Sequence, residues 1–121
     1  MKVYSAESVP ADGTEHGKGA YIRWVIAGEQ GAPNFAMRII EIEPGGHTPF
    51  HQHGPEHEVY VLEGSGHVKG PKGEAEFSIQ AGDVALVLPN EEHQFVNVGD
   101  TPLKFICVIP IKKDQLQGEQ P

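Results

Sequence analysis

Cysteine is nearly absent: 121 residues carry one, Cys107. A lone thiol forms no internal disulfide, so the fold must rest on its own core, and a reducing compartment suits it. Basic side chains are also few, 9 Lys and Arg against 17 Asp and Glu, for a formal net charge of -8. Phosphate backbones and anionic membranes repel such a domain, and no Lys/Arg cluster offsets the repulsion, so neither nucleic acid nor membrane is an expected partner. No apolar run approaches the length that spans a bilayer. The opening MKVYSAESVPADG lacks the apolar stretch of a secretory signal. The expectation is a soluble cytoplasmic protein of one domain, residues 1–121, since the length suits one core and not two.

Glycine and proline, by contrast, are plentiful, 15 and 10, and spread along the chain. They punctuate short elements and do not mark a disordered tail. Amphipathic helix periodicity is missing, and period-2 alternation dominates. Strands are predicted over 20–28, 35–43, 57–64, 66–70, 75–83, 84–89, 93–100 and 103–110, with turn signals GPKGE, AGD, PNEE and VGDTP between them. Residues 1–34 supply N-terminal strands, about 35–110 the barrel core, and 111–121 a polar tail. The class is all-β: a sandwich, a jelly roll or a closed barrel, which pattern alone does not separate.

In FAMRIIEIE, Arg38 shares the more apolar face with Ile40 and Ile42. Either its guanidinium goes inside, where it needs an anionic or hydrogen-bonding partner, or it snorkels to the barrel rim. HEVYVLEG is apolar on both faces, Val59 and Val61 against Tyr60 and Leu62. A strand of that kind is covered on both sides, and a second copy of the chain is one candidate cover, which makes a homodimer the expected assembly.

Seven histidines are present. His51 and His53, two apart on an extended segment, point to one face. His57 follows a Gly54-Pro55-Glu56 turn, and His93 opens the strand pattern HQFVN. Each alone is more readily an ordinary polar residue than a ligand. Together they are the nitrogen donors a transition metal takes from several strands of a barrel. His16, His47 and His67 stand in loops or beside glycine and read as surface residues.

GGHTPFHQHGPEHEVYVLEG resembles the first motif of the cupin superfamily: Gly45, five residues, His51-x-His53, then a glutamate position and a downstream glycine, Gly64. GDVALVLPNEEHQFVN resembles the second, with Gly82, His93 and Asn97 in its spacing. The resemblance implies a double-stranded β-helix, the jelly-roll barrel of a small single-domain cupin. Two departures stand out. The usual Pro-x-Gly is altered, with Pro89 displaced and Asn90 where glycine is expected; Asn tolerates φ > 0 well. The glutamate position, counted back from Gly64, falls on His57, with Glu58 as the alternative ligand. The resemblance then implies a four-histidine site, His51, His53, His57 and His93, for one divalent transition metal per chain. Manganese comes first by resemblance, and Fe, Ni, Cu and Zn also suit imidazole donors.

If His93 faces inward, so do Phe95 and Asn97 by strand parity, and the family's last strand suggests Phe105, Cys107 and Ile109 as further wall. The expected pocket is Arg38, Phe95, Phe105, Cys107 and Ile109, with Arg38 as anion anchor. Cys107 is either a catalytic group near the metal or a small buried hydrophobe. No acid or base is expected on the inward faces, which counts against sugar isomerases. The leading expectation is an oxidoreductase similar to quercetinase-like dioxygenases, acting with O₂ on an enol, phenol or carboxylate-bearing substrate. The alternatives are a metal-dependent binding protein without turnover, for sensing or storage, and a metal-dependent isomerase or lyase.

Overall fold

A computed structural model describes residues 1–14, 16–50 and 54–111. Among them the regular structure is nine antiparallel strands and three short 3₁₀ turns. The strands are β1 (Asp12–Gly13), β2 (Lys18–Ile26), β3 (Phe35–His47), β4 (His57–Glu63), β5 (Ser65–Lys69), β6 (Glu76–Gln80), β7 (Val84–Val87), β8 (Gln94–Val96) and β9 (Leu103–Pro110). No helix among the described residues is long and apolar enough to cross a membrane.

β3 organises the sheet. Its buried positions fall at Ala36, Arg38, Ile40 and Ile42, the alternation a pleated strand imposes when one face meets a core. Along one edge it pairs with β2, which in turn carries β1. From the other edge two arms depart, β9-β4-β7 and β8-β5-β6. The arms close on a shared core: Val59, Val61 and Phe105 from one, Val68, Ile79 and Phe95 from the other, with Ile40 and Ile42 between. This curled sheet is the jelly-roll barrel, with the short strands β6 and β7 at the ends of its two arms and β1 on the outer side of β2.

Two turns show why particular residues are needed. Gly64, between β4 and β5, has φ +83°, and a Cβ there would lie 2.2 Å from the Pro102 carbonyl oxygen, so backbone meets backbone where no side chain fits. Asn90 has φ +63° before β8, the left-handed geometry in which Asn best replaces glycine. The outer face of β4 is open among the described residues. Tyr60 is 49% exposed and Leu62 37%, because no further layer of the described residues lies over that face.

The N-terminal segment is strapped along β2 by side-chain bonds. The Tyr4 hydroxyl donates to the Val25 carbonyl, Arg23 Nη1 donates to the Val9 carbonyl at 2.5 Å, and Lys2 Nζ to the Gln30 carbonyl at 2.6 Å. Asp12 and Gly13 then pair with Ile22 and Tyr21. This brings a segment far from the barrel motifs in sequence to the mouth of the barrel.

Candidate metal centre and its cavity

β4 begins with His57, and its inward parity is set by the apolar Val59 and Val61 that follow on the same face. His57 is 7% exposed, while Glu58 faces out. The Glu58 carboxyl lies above the usual carboxylate range, first because it shares a hydrogen bond with Glu56. Of the two neighbours, His57 enters the cavity and Glu58 does not.

His93 comes in from the opposite arm, ahead of β8, and is also 7% exposed. Its Nδ1 donates to the Glu91 carbonyl at 2.8 Å, which leaves the lone pair on Nε2. Burial holds its pKa below the ordinary histidine value, partly opposed by that carbonyl contact. The ring is therefore neutral at neutral pH, the form a metal requires. The His57 and His93 rings meet edge to face, centroids 5.0 Å apart and planes at 79°. Two imidazoles binding one ion at about 2.1 Å and roughly tetrahedral or octahedral angles have centroids about 4.5–5.2 Å apart. This pair fits a shared ion. His51 and His53, the other expected ligands, lie outside the described residues, and among the described residues no three His, Cys, Asp or Glu side chains gather as a metal site.

The cavity that His57 and His93 enter has a volume of about 630 Å³. Arg38 (β3), Phe95 (β8), Phe105 and Cys107 (β9) line it. Ile109 does not: it pairs with Ala36 near the far end of β3 and belongs to the packed core, 1% exposed. That corrects the expected wall, since equal parity puts Ile109 on the inward face but two residues beyond the cavity. Asn97, 1% exposed, is likewise inward without lining the cavity. Its amide holds the β8–β9 connection, Nδ2 donating to the Ile42 and Thr101 carbonyls at 2.8 and 2.9 Å, while Oδ1 accepts from Gly99 N at 2.9 Å.

Arg38 is inside, 9% exposed, and does not snorkel. Its Nη2 donates to Cys107 Sγ at 3.0 Å, and its Cζ lies 5.3 Å from the centre of the Trp24 ring. Burial raises the Cys107 thiol above its ordinary pKa; the Arg38 charge and hydrogen bond pull it partly back. The thiol is thus held in its neutral form beside the guanidinium.

Asp12, Thr14 and His16, from β1 and the turn after it, also line this cavity, as does Trp24 of β2. Asp12 and His16 are exposed and bring an acid and an imidazole to the mouth of the pocket, from a segment outside the inward strand faces. His16 is exposed to solvent, as expected of a surface residue, but it stands at the mouth with φ +60°, an unusual conformation for a non-glycine residue. His47 and His67 lie elsewhere: His47 Nδ1 contacts the Thr48 carbonyl at 3.0 Å, and His67 Nδ1 is 3.2 Å from Glu76 Oε1.

Comparison with known proteins agrees with this architecture. The polyketide cyclase RemF from Streptomyces resistomycificus superposes with a TM-score of 0.83 at 31% identity, over 91% of this chain and 79% of that one. A curated 1-methylthio-D-xylulose 5-phosphate methylsulfurylase of Rhodospirillum rubrum is 31% identical over 81 residues, 67% of this chain and 51% of the relative. An oxalate-binding protein of Thermotoga maritima is 34% identical over 73 residues, 58% of this chain and 57% of the relative. The chain matches little more than half the length of these curated relatives. The family model for the cupin domain matches residues 38–109, from Arg38 of β3 to Ile109 of β9, and the chain belongs to the cupin family.

Proposed function

We propose that the chain is a metal-dependent enzyme acting on a small substrate that presents an enol, phenol or carboxylate oxygen. The observation that carries this reading is the convergence of His57, His93, Arg38, Asp12 and His16 on one cavity. Its volume falls within the range of small-molecule sites, about 300–1,000 Å³. His51, His53, His57 and His93 would hold the ion, with manganese first among the candidates. When bound, a divalent ion supplies Lewis acidity towards a carbonyl or enol oxygen.

The chain's own residues carry the remaining work. Arg38 fixes an anionic oxygen of the substrate. Trp24, Phe95 and Phe105 exclude water from its carbon skeleton, which strengthens every polar contact inside. The His16 imidazole or the Asp12 carboxyl takes a proton from a substrate carbon or hydroxyl at the mouth and can return it elsewhere on the molecule. Cys107, protonated and hydrogen-bonded to Arg38, positions the guanidinium.

This set supports a redox-neutral reaction best: enolisation followed by isomerisation or ring closure. The likeness to a polyketide cyclase over nine-tenths of the chain points the same way. O₂-dependent oxidation, the expectation from sequence, is the second reading, and the aromatic wall of Phe95 and Phe105, 4.5 Å between ring centroids, favours it. The deciding experiment uses untagged protein purified without chelators, its metal content measured, and supplied with enolisable 1,3-diketones and polyphenols in air and under strict anaerobiosis. Metal-dependent product without O₂ supports the redox-neutral reading. An absolute requirement for O₂, with its uptake, transfers the proposal to a dioxygenase. Binding without product in either atmosphere overturns both in favour of a binding protein.

A further inference from the structure

Strand register carries one row of side chains from the core out to the mouth. Asp12 of β1 pairs with Ile22 of β2, Ile22 with Ile40 of β3, and Ile40 with Phe105 of β9. Directly paired residues project to the same face of a sheet, and all four line the cavity. Ile40 and Phe105 are buried, whereas Asp12 is exposed at the outer end, where the row leaves the barrel. Three strand spacings separate Asp12 from Phe105, roughly 14 Å. Phe95 lies against Phe105, 4.5 Å between ring centroids, and His93 stands next to Phe95 at 6.2 Å. The cavity therefore has a histidine end, an apolar floor and a carboxylate end. Packing fixes the carboxylate end in place. Thr14 N donates to the Ala20 carbonyl at 3.1 Å, and a Cβ on Gly17 would meet Thr14 Oγ1 and, at 2.9 Å, the His47 carbonyl.

We propose that Asp12 is a specificity-determining residue: it accepts a hydrogen bond from the far hydroxyl of a flat substrate and repels a phosphate at that position. The inference rests on the proposed function and deepens it by naming the substrate class, a planar ring system with a hydroxyl at each end. A carboxylate only accepts, so it rewards a hydroxyl and offers a phosphate nothing. Among the described residues lining the cavity, Arg38 is the one other formally charged side chain. It stands in the neighbouring row between Trp24 and Cys107, 9% exposed, with Nη2 donating to sulfur and Nε enclosed without a hydrogen-bond partner among the described residues. Neither a lysine nor a residue of the three 3₁₀ turns is among the described lining residues, so a pair of cations or a helix N-terminus, the usual cradles of a phosphate, is missing there. The net charge of -8 acts in the same direction at longer range. The apolar floor takes a ring face, whereas a sugar chain asks for polar partners along its hydroxyls. With Asp12 committed to recognition, proton transfer at the mouth falls to His16.

The test is calorimetric titration of the full-length protein, as purified, with naphthalene-2,6-diol, its monomethyl ether and 2-naphthyl phosphate at neutral pH. The diol is expected to bind saturably, and the ether, which lacks one hydroxyl donor, about fivefold more weakly. The phosphate is expected to bind more weakly than the ether. Two substitutions at the exposed Asp12 separate acceptor from charge. Asp12→Ala is expected to abolish the preference for diol over ether. Asp12→Asn keeps an acceptor, so it is expected to retain part of that preference while strengthening the phosphate several-fold. Equal binding of diol and ether by the wild type, phosphate binding as tight as the diol, or no saturable binding overturns the proposal, and none of these needs a variant to fold. An unchanged preference in Asp12→Ala overturns it as well. The expected preferences with no turnover of any substrate would leave Asp12 its role and remove the enzyme reading, whereas turnover without the preferences would do the reverse, so the two failures are distinguishable.

Discussion

Arg38 and Cys107 are directly opposite in the β3–β9 ladder, and the guanidinium donates to the sulfur at 3.0 Å. Cys107→Ala would leave a second guanidinium nitrogen unpaired in a site 9% exposed. The expected loss is about 1–3 kcal/mol of stability, measured by urea unfolding. Cys107→Ser retains an acceptor and is expected to lose less. A loss equal in both variants would assign the effect to packing volume and not to the hydrogen bond.

The same thiol makes a pH prediction. Its folded pKa is raised, chiefly by burial, with Glu58 of β4 adding to the rise and Arg38 of β3 opposing it. A raised acid stabilises the fold fully below its unfolded pKa, about 8.5 for a thiol, and that contribution is lost as pH rises through the folded value. Wild type is therefore expected to lose stability relative to Cys107→Ser above about pH 8.5. Parallel stability curves from pH 7 to 10 would show that the thiol is not held in its neutral form.

Alternation along single strands made much of this site legible. Parity in β3 is enough to carry Arg38 inward with Ile40 and Ile42, and parity in β4 separates His57 from Glu58. Parity has no information on depth, which is why it sets Ile109 with the wall residues although the side chain lies inward but beyond the cavity. The mouth was illegible for another reason. β1 is two residues long, too short for any period, and Asp12, Thr14 and His16 reach the cavity through the backbone pairing of Asp12 with Ile22 and the straps from Tyr4 and Arg23. Nothing local to those residues announces such a contact.

His57 and His93 approach from opposite arms of the sheet, so an ion held by both ties the arms together. Manganese added to metal-free protein is expected to raise unfolding stability by about 2.7 kcal/mol at a hundredfold excess over its dissociation constant. His57→Ala combined with His93→Ala is expected to abolish that shift. A shift retained in full by the double variant would place the ion elsewhere.

On the outside of the sheet, Tyr60 of β4 pairs with Ile106 of β9 and Val84 of β7, and Ile106 pairs in turn with Ile39 of β3. This apolar row crosses four strands, roughly 14 Å at the usual strand spacing, and Val84 is 73% exposed at its end. Leu62 and Leu86 widen it on the same face. An exposed apolar patch of this kind suits an interaction surface, and a second copy of the chain is the expected occupant. Sedimentation is expected to give a dimer, and Tyr60→Lys with Val84→Glu a monomer. A wild-type monomer at every accessible concentration would count decisively against it.

Asn97 fastens the β8–β9 connection to the strand that carries Arg38. Its side chain makes three hydrogen bonds in a site 1% exposed, and its backbone makes two more: Asn97 N donates to the Gly46 carbonyl and the Asn97 carbonyl accepts from Gly45 N, each at 3.0 Å. Asn97→Ala keeps the backbone pair but strands two carbonyls and one N–H, an expected loss of roughly 2–4 kcal/mol. Asn97→Asp nearly conserves shape but sets a carboxylate against the Ile42 and Thr101 carbonyls, so it should destabilise at least as much, and more as pH rises through the carboxylate range. If the residue acted through volume alone, Asp would be tolerated and Ala would not. Urea unfolding of the two variants at pH 7 separates these cases, and the ordering Asp at or below Ala is the outcome that assigns the motif asparagine to holding the barrel.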